Sequence, residues 1–131
     1  MSEDLKKRTA ETAALYFKDV EGEVPYRIWH SFDPELAKEF SLFITGSIYS
    51  REKLPHPTRQ MVAVASLAAL GAVEELSLHL QAALNVGVSP KELAEVIFQV
   101  GVYTGVPAMN RALVTLREVL KLKGLWPPDR G

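Results

Sequence analysis

Three histidines, His30, His56 and His79, carry this sequence's capacity to give and take a proton near neutral pH. His79 sits inside the helix-like run Glu74-Glu75-Leu76-Ser77-Leu78-His79-Leu80. Four residues make about one helical turn, so Glu75 is expected to project beside His79. A carboxylate there orients the ring and stabilises the imidazolium, as an orienting acid does for a catalytic base. The competing reading is a partly exposed Glu–His helix pair contributing roughly 0.2–0.5 kcal/mol. His30 beside Trp29 and His56 between Pro55 and Pro57 read as packing or loop residues. No His-x-x-x-His pair occurs, so no metal site is expected.

Two arginines are candidates for holding an acidic substrate. Arg51 falls in a Pro-containing loop and Arg59 near the start of the following helix. A guanidinium pairs bidentately with a carboxylate, and an arginine near a helix start is poorly placed for the helix dipole, although surface solvation explains either alone. There is no cysteine, which removes thiol chemistry, disulfides and Cys-based zinc sites at once. Gly-x-Gly-x-x-Gly, P-loop and Gly-x-Ser-x-Gly patterns are absent, so neither nucleotide use nor serine hydrolysis has support.

The elements that must position these residues read as about six helices of one all-α domain spanning residues 1–131. The first runs from an N-cap at Ser2 to about Lys18, with Leu5, Ala13, Tyr16 and Phe17 inward. Glu21 to Pro25 is a loop, and Tyr26 to Phe32 a short turn or helix. Asp33-Pro34-Glu35 opens the second, with Leu36, Phe40, Phe43, Ile44 and Ile48 as one apolar stripe. The third, about Thr58 to Leu70, is apolar almost all round and reads as the buried centre of a bundle. Gly71 stops it, and a fourth follows from Val73 to Asn85. Ser89-Pro90-Lys91-Glu92 is a capping box for the fifth, which Gly105 terminates. Val106-Pro107 begins the sixth, and the tail from Gly124 to Gly131 is irregular.

The chain is 131 residues long, 47% apolar and 24% charged, with a net charge of −1. Those are proportions of an ordinary globular protein without the basic footprint of a nucleic-acid binder. No apolar run is long enough to span a bilayer, and the N-terminus lacks a signal-peptide core, so a cytoplasmic protein without a membrane partner is expected.

Taken together, several ordered motifs resemble the carboxymuconolactone decarboxylase family. They are Thr58-Arg59, Leu67-Ala68-Ala69-Leu70-Gly71, Glu74-Glu75-Leu76, Leu78-His79-Leu80, Ala82-Ala83 and Asn85-Val86-Gly87-Val88. Glu92-Leu93, Glu95-Val96-Ile97, Tyr103-Thr104-Gly105-Val106-Pro107-Ala108 and Asn110 continue the match, which covers Tyr49 to about Val119. The resemblance implies an all-helical alkylhydroperoxidase-like fold assembled as a homo-oligomer, a trimer or a hexamer of trimers. One branch of that superfamily carries Cys-x-x-Cys followed four residues later by the histidine. Those cysteines fall on Ala72 and Glu75 here, which excludes the thiol peroxidase chemistry.

What remains resembles the cysteine-free branch, whose members convert gamma-carboxymuconolactone to an enol-lactone and carbon dioxide in the beta-ketoadipate pathway of aromatic catabolism. That reaction needs no cofactor, since the unsaturated lactone accepts the electrons left by departing carbon dioxide. The resemblance assigns proton transfer to His79 with Glu75 orienting it, charge stabilisation to Arg51 and Arg59, and further substrate contacts to Gln60, Tyr103 and Asn110. The chain departs from the family's pattern in three places. Tyr49-Ser50-Arg51-Glu52-Lys53-Leu54 stands where Trp-x-Arg-Pro-Gly-Leu is usual, Gln81 where a basic residue is common, and Gln60 where many members have glutamate. The alternative to a cofactor-free lyase or isomerase on a small acidic lactone is a catalytically silent helical oligomer that binds a small ligand or a partner.

Overall fold

A computed structural model describes residues 2–129, and every residue described in an element is helical. The side chain of Ser2, read as an N-cap, lies outside the described residues, as does the very end of the tail. The helices are α1 (Ser2–Tyr16), α2 (Pro25–Phe32), α3 (Pro34–Ser41), α4 (His56–Leu70), α5 (Val73–Asn85), α6 (Pro90–Thr104) and α7 (Val106–Leu122). Between α3 and α4 the chain forms a π-helical segment, Leu42–Tyr49.

Local chemistry explains most boundaries. Asp33 accepts the Leu36 amide at 3.0 Å ahead of Pro34, and Ser89 and Glu92 close a reciprocal capping box around Pro90. Gly71 ends α4 at φ 70, a left-handed conformation that side chains with a Cβ rarely adopt. The core is built by α4 to α7 around Val64, Leu76, Leu80, Leu93, Ile97, Leu116 and Leu120. The apolar residues at helical spacing on α5 (Leu76, Leu80, Ala83), α6 (Leu93, Ile97, Val100) and α7 (Ala112, Leu116, Leu120) are buried.

The segment expected as a short turn or helix is a helix, Pro25–Phe32, which brings the described residues to seven α-helices. The sequence expectation fails in two informative places. The second expected helix does not continue as one α-helix to Ile48. It widens into the π-helical segment, where Gly46 is buried and a Cβ would collide with Thr9 Oγ1 and the Leu5 side chain of α1. The expected stripe is also displaced: Ala37 and Gly46 are buried, whereas Leu36, Phe40 and Phe43 are exposed. Finally, α4 is buried on one side only, through Gln60, Val64 and Ala68, while Val62 and Leu70 face outward. Among the described residues, no helix is long and apolar enough to cross a membrane.

Candidate active site around His79

The middle of α5 is its most deeply buried part, and His79 lies there with 8% of its surface exposed. Its Nδ1 stands 2.9 Å from Gln60 Oε1 of α4. An amide oxygen can only accept, so Nδ1 carries the proton and the free lone pair of the neutral ring resides on Nε2. Phe17 and Tyr49 meet the imidazole edge-on, with ring centroids 6.0 and 6.2 Å away. Burial in this setting lowers the His79 pKa to about 4, against a smaller opposing pull from the Glu75 carboxylate. At neutral pH the imidazole is therefore neutral.

A polar layer backs the ring. Gln60 is wholly buried, and its Nε2 has no hydrogen-bond partner among the described residues. Its amide still offsets part of the burial that raises the Tyr16 phenol pKa. Tyr16 Oη lies 2.5 Å from His56 Nδ1, and a phenol held in its protonated form donates there. Tyr49 is likewise raised by burial, with Arg59 pulling the other way. Arg59 Nη2 donates to the Arg51 carbonyl at 2.9 Å, while Arg59 Nε is buried without a partner.

His79 and Tyr49 border two cavities. One, of ≈ 380 Å³, lies along α4 and α5 and brings Arg59, Ser66, Glu75 and His79 onto one lining with Val62, Leu67 and Leu54. The other, of ≈ 470 Å³, is bounded by α1, α2, α3 and the π-helical segment. The first is lined by a guanidinium, a carboxylate and a neutral imidazole. That combination suits the binding of a small anion followed by proton transfer.

The expected residues divide clearly. His79, Glu75 and Arg59 share the smaller cavity. Glu75 is exposed on the same lining as the ring and acts on its charge, as the i, i+4 spacing implies. Arg51 is exposed and does not line that cavity; it contributes its backbone carbonyl, which holds Arg59. Gln60 lines neither cavity, because it is folded behind the ring and fixes Nδ1. Tyr103 is 81% exposed near the end of α6 and borders neither cavity. Asn110 is exposed on α7 beside a separate hollow that also takes in Phe98 and Trp126. In the isolated chain both stand apart from the histidine.

Three contributors escaped the sequence reading. Tyr49 reaches His79 only because the π-helical segment ends there. Tyr16 and His56 pair across 40 residues, which no local pattern reveals. Gln81, at a position where a cation would be expected near substrate, is buried with a different task. Its Oε1 accepts from the Glu21 amide at 2.8 Å and its Nε2 donates to the Glu21 carbonyl at 2.9 Å, clamping the loop after α1.

Comparisons with known proteins bear on the family and the fold. The model of the carboxymuconolactone decarboxylase family matches residues 34–118. A 4-carboxymuconolactone decarboxylase of Acinetobacter baylyi is 40% identical over 98 residues, which cover 75% of this chain and 73% of that protein. An uncharacterised 15.0 kDa protein of Paracoccus denitrificans is 34% identical over 76 residues, covering 56% and 57% of the two chains. A crystal structure from Burkholderia xenovorans LB400, provisionally assigned as a carboxymuconolactone decarboxylase, superposes with a TM-score of 0.68 at 22% identity. It covers 94% of this chain and 96% of that one, and shows the shared all-helical fold. With the family model spanning well over half its length, the chain belongs to the carboxymuconolactone decarboxylase family.

Proposed function

We propose that the protein is a cofactor-free carboxy-lyase acting on a small acidic lactone, with gamma-carboxymuconolactone as the named candidate. The observation that supports it most is the convergence of Arg59, Glu75 and His79 on one cavity in a chain similar to a 4-carboxymuconolactone decarboxylase. In the proposed reaction Arg59, which lines this cavity, holds the substrate's anionic edge with its guanidinium. The bond from carbon to the departing carboxylate breaks, and its electron pair moves into the unsaturated lactone to give an enolate oxyanion. One proton is then delivered to carbon, so the overall step consumes a proton and releases carbon dioxide.

His79 is the proposed donor. Burial lowers its pKa to about 4. An anion bound beside the ring favours the imidazolium, so substrate and proton enter together. Glu75 helps in the same sense, and Gln60 keeps the ring aligned by accepting from Nδ1 in either charge state.

The test is turnover, followed as loss of the lactone's absorbance. His79→Gln is expected to lower kcat about 100-fold or more, the usual scale of a general acid, while Gln60→Glu alters the pH profile. Because only the protonated ring supplies the proton, kcat/KM should fall as pH rises above the free-site value near 4. The descending limb of kcat should lie at higher pH, since bound anion raises the histidine. Undiminished turnover by His79→Gln would remove the assignment. Failure of the folded wild type across a panel of related lactones would remove the lyase reading altogether.

A further inference from the structure

The cavity of ≈ 470 Å³ on the N-terminal helices differs in chemistry from the one that holds Arg59 and Glu75. Its size lies within the range of roughly 300–1,000 Å³ typical of sites for small organic molecules. Its walls come from Ala13 of α1, Phe17 just beyond that helix, Trp29 of α2, and Leu42 and Ile44 of the π-helical segment. The hydroxyl of Thr9 is turned away from it, donating to the Leu5 carbonyl at 2.6 Å. Two lysines, Lys6 and Lys38, lie on its exposed rim, and no carboxylate is among its described lining residues. Glu3 approaches Lys6 at 3.7 Å, but both side chains are solvated, so the pair is weak and leaves the rim net positive.

An occupant is therefore selected at both ends. A polyanionic lactone would have to bury charge against apolar walls, which costs several kcal/mol without a partner. A neutral hydrocarbon would forgo the two rim cations. We propose that this cavity binds an amphipathic monocarboxylate, with its ring or chain against Phe17, Trp29 and Ile44 and its carboxylate at Lys6 and Lys38. His79 and Tyr49 line this cavity as well as the smaller one, so the occupant would lie beside the proposed proton donor, but its binding is read without turnover and stands or falls independently of the lyase reading.

The chain's two tryptophans make the site observable, since Trp29 lines it and Trp126 does not. In a Trp126→Phe background, titration with octanoate should produce a saturable change in Trp29 emission, whereas acetate should not. Lys6→Gln with Lys38→Gln should weaken octanoate about fivefold, the combined scale of two exposed ion pairs, and leave 1-octanol unchanged. Ala13→Phe, which fills the cavity from α1, should abolish both responses with the helical circular dichroism retained. If that variant does not fold, Ile44→Phe makes the same test from the opposite wall. No saturable change at millimolar octanoate would overturn the proposal, as would equal losses for octanoate and octanol in the lysine variant. A Trp29 signal that follows protein concentration instead of octanoate would also overturn it, by assigning the cavity to a second copy of the chain.

Discussion

At the scale of single residues, His79 shows how burial sets protonation. Its ordinary value of 6.5 is lowered to about 4 by loss of hydration, and Glu75 recovers only part of the difference. The consequence extends to stability. Between about pH 4 and 6.5 the unfolded chain binds a proton at this position that the folded chain does not, so stability falls as pH is lowered through that window and is complete above it. The shift corresponds to roughly 3 kcal/mol. Urea unfolding at pH 7 and at pH 4.5 should show most of that loss in the wild type, and His79→Gln should remove this part of the pH dependence. Equal slopes in the two proteins would mean that the ring is not held neutral in the folded state. Glu75 itself was legible from sequence because i, i+4 neighbours meet on any helix. Gln60 was legible as a site position but not in its role, since a residue 19 positions away reaches the ring only by the packing of α4 on α5.

At the scale of elements, the π-helical segment joins fold and site. It packs against α1 at Gly46, is pinned by a Ser50 Oγ hydrogen bond to the Gly46 carbonyl, and ends at Tyr49 beside His79. Segments of this kind are commonly found at functional sites. Gly46→Ala is expected to destabilise the protein by about 1–3 kcal/mol, the usual cost of forcing extra volume into a packed contact, measured by urea unfolding. Tyr49 should move with the segment, so turnover should fall by more than the lost stability explains. A neutral substitution would show that α1 can withdraw. Capping signals located α3 and α6 well because caps are local hydrogen bonds, and Pro107 in the first turn marked the start of α7. Phe43 leaves the stripe where the chain widens beyond 3.6 residues per turn, whereas Leu36 and Phe40 are exposed on the regular α3, whose buried residue is Ala37, because periodicity marks an apolar face without saying what covers it.

At the scale of the whole molecule, large apolar residues remain uncovered. Phe32 is 88% exposed, Leu70 78% and Val102 77%, and Val62 and Val106 are more than half exposed. Scattered apolar residues are ordinary, but Val102, Tyr103 and Val106 crowd one corner between α6 and α7. Self-association is the proposal that covers them, and it would account for the apolar outer side of α4. Sedimentation at micromolar concentration should give a species larger than the 14.5 kDa chain, and Val102→Glu with Tyr103→Glu should shift it toward monomer. A monomer throughout would leave Tyr103 as a surface residue with no site to join.

The amino-acid sequence alone determined the helical class, the element order from α4 onward, the absence of thiol chemistry and the Glu75–His79 pair. All of these follow from composition or from interactions spanning one or two helical turns. Tertiary structure decided which partners converge on the pair. Packing α4 on α5 placed Gln60 behind the imidazole and Arg59 at its cavity, packing α1 on α5 closed the other side with Phe17, and the π-helical turn delivered Tyr49. It also separated Tyr103 and Asn110 from the site in the isolated chain, and turned Gln81 into a clamp on the loop after α1. The missing cysteine became informative in the same way. A carboxylate at Glu75 stands at one of the two positions where the thiol branch carries cysteine, one turn before a ring that burial keeps neutral, and the proposed proton transfer rests on that ring.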